Sequence, residues 1–283
     1  MKNHFKFLTM RKIISYIYII GVTLLMAACS NIDDNERFIY VKPAEVARCV
    51  LLEDYTGQRC INCPNAASVI EQLHETYGDN VIAVGIHAGR LSISSSLSDL
   101  GLATDDGETY YNNVGMPSQP SGRVNRKGTP STIDTWPSLV ASEIEKTAPV
   151  SLELSAEYNE DTREVSANVD AMGVDGNVSG KLQLWIIEDN IVSLQERKED
   201  INNPNSATIR DLNYVHNHVF RAAVNGTWGE DFNITEGATK TVTASATLKS
   251  NWKAEDCSIV AFVYNDNGVM QAAKVKIING NKE

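Results

Sequence analysis

The chain has 283 residues, 36 of them acidic and 25 of them Lys or Arg, so its formal net charge at pH 7 is −11. Phosphate backbones and anionic membrane surfaces repel so acidic a body, which excludes nucleic acid as a partner. The length exceeds what one hydrophobic core usually serves and therefore predicts two domains.

Residues 1–28 have the pattern of an export signal. Four cations precede an apolar segment that runs from residue 13 to residue 28, which is short for a transmembrane helix. The segment ends in the letters LMAAC, which resemble a bacterial lipobox, where cleavage leaves the cysteine to carry lipid. The sequence therefore predicts a signal peptide over 1–28 and lipidation of Cys29. Because Met26 stands where leucine is usual, an ordinary signal peptide with an incidental Cys29 is the alternative.

Residues 29–40 form a polar, acidic tether. Ser30, rather than Asp, follows Cys29, which resembles the signal for outer-membrane sorting. The acidic cluster Asp33–Glu36 resembles the surface-export tether of Bacteroidetes lipoproteins. We therefore expect an outer-membrane lipoprotein that is held by lipid on Cys29 and faces the periplasm or the cell surface.

The segment 41–147 alternates strand and helix patterns and is predicted to form the first domain. Val50–Asp54 begins with an apolar run typical of a buried strand. Pro64–Tyr77 has apolar residues at helical spacing, a proline suited to a first turn, and Gly78 as its stop. Val81–Ile86 is a second buried strand, and because one helix separates the two strands, we expect parallel pairing.

Three shorter elements complete this predicted domain. A short helix is expected near Thr109–Asn113, and a hairpin strand is expected over Gly122–Arg126. Thr135 is suited to cap a last helix that carries apolar residues on one face.

Two cysteines stand at C-x-x-C spacing between the first strand and its helix. A cysteine at a helix N-terminus lies at the positive end of the helix dipole, which favours the thiolate and lowers the pKa to roughly 3.5–7.5. Cys60 is therefore predicted to be the exposed nucleophile, with Arg59 as an auxiliary cation. Cys63, one turn deeper, is predicted to be the resolving thiol.

Three landmarks in this segment resemble the thioredoxin superfamily. Asp54 stands six positions before Cys60, the C-x-x-C pair follows, and Met116-Pro117-Ser118 matches the element that contains a cis-proline. The resemblance implies a thioredoxin-like fold in which Asp54 accepts the proton of Cys63. It also implies a cis Met116–Pro117 bond whose backbone holds a substrate strand.

The sequence departs from thioredoxin around the cysteines. Arg59 replaces a tryptophan, and Ile61-Asn62 replaces Gly-Pro, so the direction of electron flow is not set by this pattern. Two alternatives to redox chemistry stay open: a static disulfide, which an exported protein favours, and a metal site, which lacks a second ligand pair nearby.

Nearly the whole chain after the signal resembles the Bacteroidetes lipoproteins related to outer membrane protein 28. The resemblance is carried by the approach Tyr55–Cys60, by the stretch Tyr214–Ala223 and by Trp228-Gly229-Glu230. It implies an outer-membrane location more firmly than it implies an activity.

The histidines and the two remaining cysteines of the body give weaker indications of function than the C-x-x-C pair does. His87 ends a predicted strand at the edge where α/β sheets place ligands, so it is either an auxiliary site residue or a structural histidine. His216 and His218 are expected to share one strand face, where two imidazoles could bind metal. Cys49 and Cys257 are either buried thiols or partners across the domains.

The segment 148–283 has the period-2 pattern of strands and is predicted to form the second domain. The clearest of its strands are expected over residues 150–156, 165–169, 181–188, 241–248, 259–264 and 270–278. The polar stretch Leu194–Asp211 is expected to be a long loop, and Asn265–Gly268 a hairpin turn. About seven strands without long helices favour an all-β, immunoglobulin-like sandwich.

Two functions follow as hypotheses. In the first, the protein is a lipid-anchored thiol–disulfide oxidoreductase that acts on exported client proteins with a thiol redox partner and no cofactor. In the second, it is a non-enzymatic binding or assembly lipoprotein whose disulfide is structural. The intact cysteine pair, Asp54 and Pro117 favour the first.

Overall fold

The computed structural model describes residues 44–278. The predicted signal peptide, the lipidated Cys29 and the tether 29–40 lie outside the described residues. Within 44–278, no helix is both long and apolar enough to cross a bilayer.

The described chain contains short helices and many strands. The α-helices are α1 (Cys63–Tyr77), α2 (Asp105–Asn113) and α3 (Trp136–Ile144). The strands are β1 (Val46–Ala47), β2 (Val50–Thr56), β3 (Val81–His87), β4 (Ser121–Val124), β5 (Thr147–Ala148), β6 (Val150–Asn159), β7 (Glu164–Gly173), β8 (Val178–Glu188), β9 (Ile191–Lys198), β10 (Thr208–His216), β11 (Val219–Ala223), β12 (Glu230–Ile234), β13 (Thr239–Thr247), β14 (Cys257–Asn265) and β15 (Gly268–Lys276).

The predicted strand–helix–strand unit is present as β2, α1 and β3. β2 and β3 pair in parallel along their full length, as one intervening helix requires. α1 begins with Pro64 in its first turn and places its apolar face on this pair of strands, with Ile70 and Leu73 in one cluster with Val50 and Leu52. The opposite face of the strands packs on the aromatic core around Tyr110 and Trp185.

One mixed sheet runs through both halves of the described chain. Its path is β15-β14-β8-β11-β3-β2-β4, with β12 also paired to β8. β11 lies between β8 and β3, is parallel to β3 at Val219 and Gly85, and is antiparallel to β8. The prediction of a thioredoxin-like α/β domain followed by a separate immunoglobulin-like sandwich is therefore wrong. Sequence periodicity shows where strands form, but it does not show that strands far apart in sequence share a sheet.

The strands that the sequence assigned to a sandwich divide between two sheets. β6, β7 and β13 form a separate three-stranded antiparallel sheet. Its apolar face, with Val165, Ala167 and Val169, packs on the large sheet around Leu184 and Ile259. The strands β8 and β14 belong to the large sheet, and they share one hydrophobic core with the three-stranded sheet. The two sheets therefore form one β-rich fold.

Half of the predicted loop over Leu194–Asp211 is instead strand, because β9 runs to Lys198 and β10 begins at Thr208. β9 and β10 pair antiparallel as a long two-stranded ribbon, named here the β9–β10 hairpin (Ile191–His216). The middle of β9 is buried, with Ser193, Leu194 and Gln195 covered, while charged residues dominate its far end. Polar composition concealed this strand pair, because its buried positions include serine and glutamine.

Candidate functional site

The two cysteines of the C-x-x-C pair form a disulfide at the N-terminus of α1. Their Cα atoms are 5.4 Å apart. A tight turn holds the pair, since the Cys60 amide donates to the Gly57 carbonyl at 3.1 Å and the Cys63 amide donates to the Cys60 carbonyl at 3.2 Å. Cys63 is the first residue of α1, so the geometry sets the disulfide at the positive end of a helix dipole.

Both cysteines are buried, which corrects the expectation of an exposed nucleophile at Cys60. Cys60 is 3% exposed and Cys63 is 4% exposed. The residues on either side of Cys60, Arg59 and Ile61, are both exposed. The turn therefore reaches the surface, while the sulfur-bearing residues lie beneath another part of the chain.

The β9–β10 hairpin supplies that cover. The side-chain amide of Gln195 donates to the Cys60 carbonyl at 2.9 Å and to the Gly57 carbonyl at 3.4 Å. Next to it, the Glu196 backbone amide donates to the Gln58 carbonyl at 2.7 Å. The C-x-x-C turn and the hairpin are thus hydrogen-bonded to each other through side chain and backbone.

Gln58 joins the same turn to a third segment. Its side chain is fully buried and donates to the Leu100 carbonyl at 2.6 Å and to Ser193 Oγ at 3.1 Å. Its oxygen accepts from the Leu102 amide at 3.2 Å. Since Ser193 Oγ also donates to the Leu100 carbonyl at 2.7 Å, the turn, the loop before α2 and β9 form one polar network.

Asp54 lies in a cleft of about 1260 Å³ that Cys63 also lines. The Asp54 side chain is buried, and its Oδ1 atom has no hydrogen-bond partner within residues 44–278. Burial raises the pKa of the Asp54 carboxyl to about 8, because desolvation disfavours the charged form. At neutral pH this carboxyl is therefore able both to hold and to release a proton in the cleft that Cys63 lines.

His87 lies in the same cleft, on the sheet face that carries Asp54. In the parallel pairing of β2 and β3, Asp54 is opposite Gly85 and Thr56 is opposite His87. Burial, followed by the neighbouring His216, holds the pKa of His87 well below its usual range. His87 is thus a neutral imidazole at pH 7, placed two residue pairs beyond Asp54 along the sheet.

His216 packs on His87, whereas the sequence predicted that it shares a strand face with His218. The ring centroids of His87 and His216 are 5.3 Å apart, and the rings meet edge to face. His218 lies beyond the end of β10 with a φ of 46° and packs on His74 at 6.1 Å. The chain bends at His218, which separates the two imidazoles.

Pro117 and Met116 lie in a different groove from the one that Cys63 and Asp54 line. Met116 is largely exposed, and the Pro117 carbonyl accepts a hydrogen bond from the Tyr111 hydroxyl at 2.9 Å. The expected cis bond at Met116–Pro117 is wrong, because the cis bond recorded within residues 44–278 is Gln119–Pro120.

Gln119 ties the segment before β4 to the strands that carry the site. Its side-chain amide donates to the Thr56 carbonyl at 2.7 Å and to the Ala88 carbonyl at 2.9 Å. Sequence reasoning passed over Gln119 and Pro120 in favour of the motif three residues earlier. The available signal was Pro120, a second proline three residues after Pro117, since either proline could follow a cis peptide bond.

The remaining candidate ligands do not assemble into a metal centre of three or more residues. Within residues 44–278, no three His, Cys, Asp or Glu side chains stand in an arrangement that would hold a metal ion. Cys49 and Cys257 are both free, so they do not bond across the two halves. Burial raises the pKa of the Cys257 thiol to about 12, which makes it inert at neutral pH.

The fold and the site together define a β-rich protein with one large mixed sheet and a covered C-x-x-C disulfide. The model of the family "Outer membrane protein Omp28" matches residues 107–281. The chain belongs to the Omp28 family of outer membrane proteins. It is an outer-membrane lipoprotein, which confirms the location predicted from the signal segment and Cys29.

Two solved structures from Porphyromonas gingivalis are similar to this chain. HBP35 matches with a TM-score of 0.61 and 20% identity, over 85% of this chain and 80% of HBP35. A domain of the outer membrane lipoprotein Omp28 matches with a TM-score of 0.31 and 27% identity, over 46% of this chain and 88% of that domain. No curated protein matches the sequence significantly. The HBP35 match extends over both halves, in agreement with one β-rich fold.

Proposed function

We propose that this outer-membrane lipoprotein is a thiol–disulfide oxidoreductase that acts on exported proteins through Cys60 and Cys63. The observation that carries the proposal is Asp54, a buried carboxyl with an unpartnered oxygen in the cleft that Cys63 lines. A static disulfide has no use for a group that exchanges protons near neutral pH, whereas thiol exchange needs one at each turnover.

The transfer of two electrons to a client disulfide can be written with Cys60, Cys63 and Asp54. In the reduced protein, the Cys60 thiolate attacks one sulfur of a client disulfide, and the client's other sulfur leaves as a thiolate that takes a proton from water. Cys63 then gives its proton to the Asp54 carboxylate and attacks Cys60 Sγ. The second client sulfur leaves, the Cys60–Cys63 bond forms, and two electrons have passed to the client. A thiol redox partner resets the pair by the reverse steps.

The β9–β10 hairpin has to move for a protein client to reach Cys60. The hydrogen bonds that hold it over the turn come from Gln195, from the Glu196 backbone and from Gln58, which donates to Ser193 Oγ. Each hydrogen bond contributes about 1 kcal/mol net, so opening this cover is compatible with turnover.

Cysteine substitutions in the full-length protein test this proposal. Cys60→Ser should abolish exchange with a disulfide-bonded client, whereas Cys63→Ser should accumulate mixed disulfides between Cys60 and clients. Cys49→Ser is the matched control, since Cys49 is a free thiol outside the pair, and it should leave exchange unchanged. Exchange that persists in both Cys60→Ser and Cys63→Ser would overturn the proposal.

The burial of both cysteines favours a second candidate function, a binding or assembly lipoprotein with a structural disulfide. The reduction potential of the pair separates the two. Catalytic couples lie between about −120 and −270 mV, whereas structural disulfides lie below about −300 mV. Thiol alkylation across glutathione buffers measures this potential in the folded protein.

A further inference from the structure

Histidines are concentrated in the cleft beside the disulfide. Four of the chain's five histidines line it, namely His74, His87, His216 and His218. Redox exchange through Cys60, Cys63 and Asp54 has no use for four imidazoles, so this concentration needs a separate explanation.

The rings of His87 and His216 lie close enough to each other to share one ion. Their ring centroids are 5.3 Å apart, and the angle between the ring planes is 71°. Imidazole nitrogens bind zinc at about 2.0–2.1 Å, which places two ring centres around one tetrahedral ion about 5 Å apart. The observed separation agrees with that value.

The hydrogen bonding of the two rings also fits metal ligands. His87 is 4% exposed, and within residues 44–278 its ring nitrogens make no hydrogen bond of normal geometry, although the Gly85 backbone lies close enough to act on its pKa. His216 Nε2 lies 3.3 Å from the Leu194 carbonyl, a contact in which Nε2 donates its proton. That tautomer leaves the lone pair of His216 Nδ1 free, and a backbone carbonyl is a common outer partner of a metal-bound histidine.

The charge around the cleft favours a cation. Six lining carboxylates, besides the buried Asp54, face the cleft: Glu71, Glu75, Asp189, Glu199, Asp200 and Asp211. Two lining cations, Arg197 and Lys274, oppose them, and two of the carboxylates are already paired, Asp211 with Arg197 and Asp189 with Lys276. A cleft with an excess of one sign of charge raises the local concentration of ions of the other sign.

We propose that His87 and His216 bind a divalent transition-metal ion of the class that imidazole prefers, namely Cu²⁺, Ni²⁺ or Zn²⁺. As no third protein ligand converges with them among the described residues, water completes the coordination. This site is independent of thiol exchange and does not require the proposed redox function.

Titration of the oxidised full-length protein with Cu²⁺ tests the site. The Cys60–Cys63 disulfide removes two thiols as ligands, and a Cys49→Ser background removes the half-buried free thiol. We expect one equivalent to bind, with an electron paramagnetic resonance spectrum that shows coupling to two imidazole nitrogens. With both histidines present, absence of binding, or a spectrum without nitrogen coupling, would overturn the proposal.

Histidine variants locate the ligands. His87→Gln and His216→Gln should each raise the Kd at least tenfold, whereas His74→Gln, on the other histidine pair, should leave it unchanged. Loss of binding in His74→Gln with retention in the other two variants would place the ion elsewhere and refute the assignment. Because the titration uses the disulfide form, failure here leaves the cysteine experiments unaffected.

Discussion

The side-chain amide of Gln195, on β9, donates a hydrogen bond to the backbone carbonyl of Cys60 at 2.9 Å. This bond joins the hairpin to the cysteine turn, so its removal should loosen the cover over the disulfide. We expect Gln195→Ala to increase reduction of the disulfide by a protein dithiol about fivefold, the factor that corresponds to about 1 kcal/mol. Stopped-flow or alkylation time courses measure the rate.

Glu196→Ala is the matched control for that variant. Glu196 contacts the turn through its backbone amide, which the substitution retains, and its side chain is paired with Arg210 at 3.8 Å. The Cys60–Cys63 disulfide of Glu196→Ala should be reduced at the same rate as that of the unaltered protein. Equal rates in Gln195→Ala and Glu196→Ala would show that the hairpin does not limit access.

Asp54 should make stability depend on pH in a direction opposite to that of most acids. Its folded pKa of about 8 lies above the ordinary value of 3.8, so between these values the folded protein holds a proton that the unfolded chain has released. The free energy of unfolding therefore falls as pH rises through this window. Urea unfolding at pH 5, 7 and 9 should show a smaller fall in Asp54→Asn than in the unaltered protein.

The same variant should slow thiol exchange. Loss of a positioned proton acceptor typically costs about 10²-fold in rate, and Asp54→Asn should lose this much near neutral pH. Asp99→Asn, which alters an exposed acid, should change neither the pH dependence nor the rate. An unchanged rate in Asp54→Asn would contradict the role of Asp54 in the exchange.

The buried ion pair between Glu53 and Arg126 should be costly to break. The two side chains are 2.7 Å apart and nearly inaccessible, and the Arg126 guanidinium lies over four aromatic rings, including Trp185 at 5.0 Å. Glu53→Gln leaves a buried cation unpaired and should lower the free energy of unfolding by about 3–5 kcal/mol. Replacement of both partners, by Glu53→Leu with Arg126→Met, should recover part of that loss.

A surface pair provides the contrast for this experiment. Lys181 and Asp231 are 2.8 Å apart on the exposed side of the large sheet. Lys181→Met should leave the denaturant midpoint nearly unchanged, because water screens exposed pairs. If Glu53→Gln were as mild as Lys181→Met, the burial of the first pair would carry no energetic consequence.

Glu143 should protect the fold against acid. Burial opposes its charge, but hydrogen bonds from Lys127, Lys146 and Asn125 outweigh burial and lower its pKa from 4.5 to about 2. The stabilisation is complete above about pH 4.5 and is lost as pH falls towards 2. Glu143→Gln should raise the midpoint of acid unfolding, followed by circular dichroism, and cost about 2 kcal/mol at pH 7. An unchanged midpoint would contradict this account.

Local patterns in the sequence predicted the part of the site that is local in the fold. The β2–α1–β3 unit follows from apolar periodicity, the proline at the helix start and Gly78 at its end. The cysteine spacing then places the disulfide at the start of α1. Asp54 lines the same cleft as Cys63 because it lies on β2, the strand that leads into the cysteine turn, six residues before Cys60.

The rest of the site depends on contacts between distant segments, which periodicity does not encode. Gln195 and His216 come from a polar stretch with weak alternation, so neither their strands nor their position over the disulfide had a local signal. The pairing of Gly85 with Val219 joins segments that lie far apart in the chain, and it turns two predicted domains into one sheet.

The position of β11 beside β3 has a consequence for the order of events during export. β3 is fully paired only after residues 219–223 have been translocated, since the Gly85 amide donates to the His218 carbonyl at 2.8 Å. Contacts of this sequence separation form late in folding. The β9–β10 hairpin, residues 191–216, also follows the cysteine turn by more than a hundred residues in the chain. The turn therefore emerges without its cover, and the Cys60–Cys63 bond can be made by whatever oxidant meets the nascent chain before the hairpin closes over it.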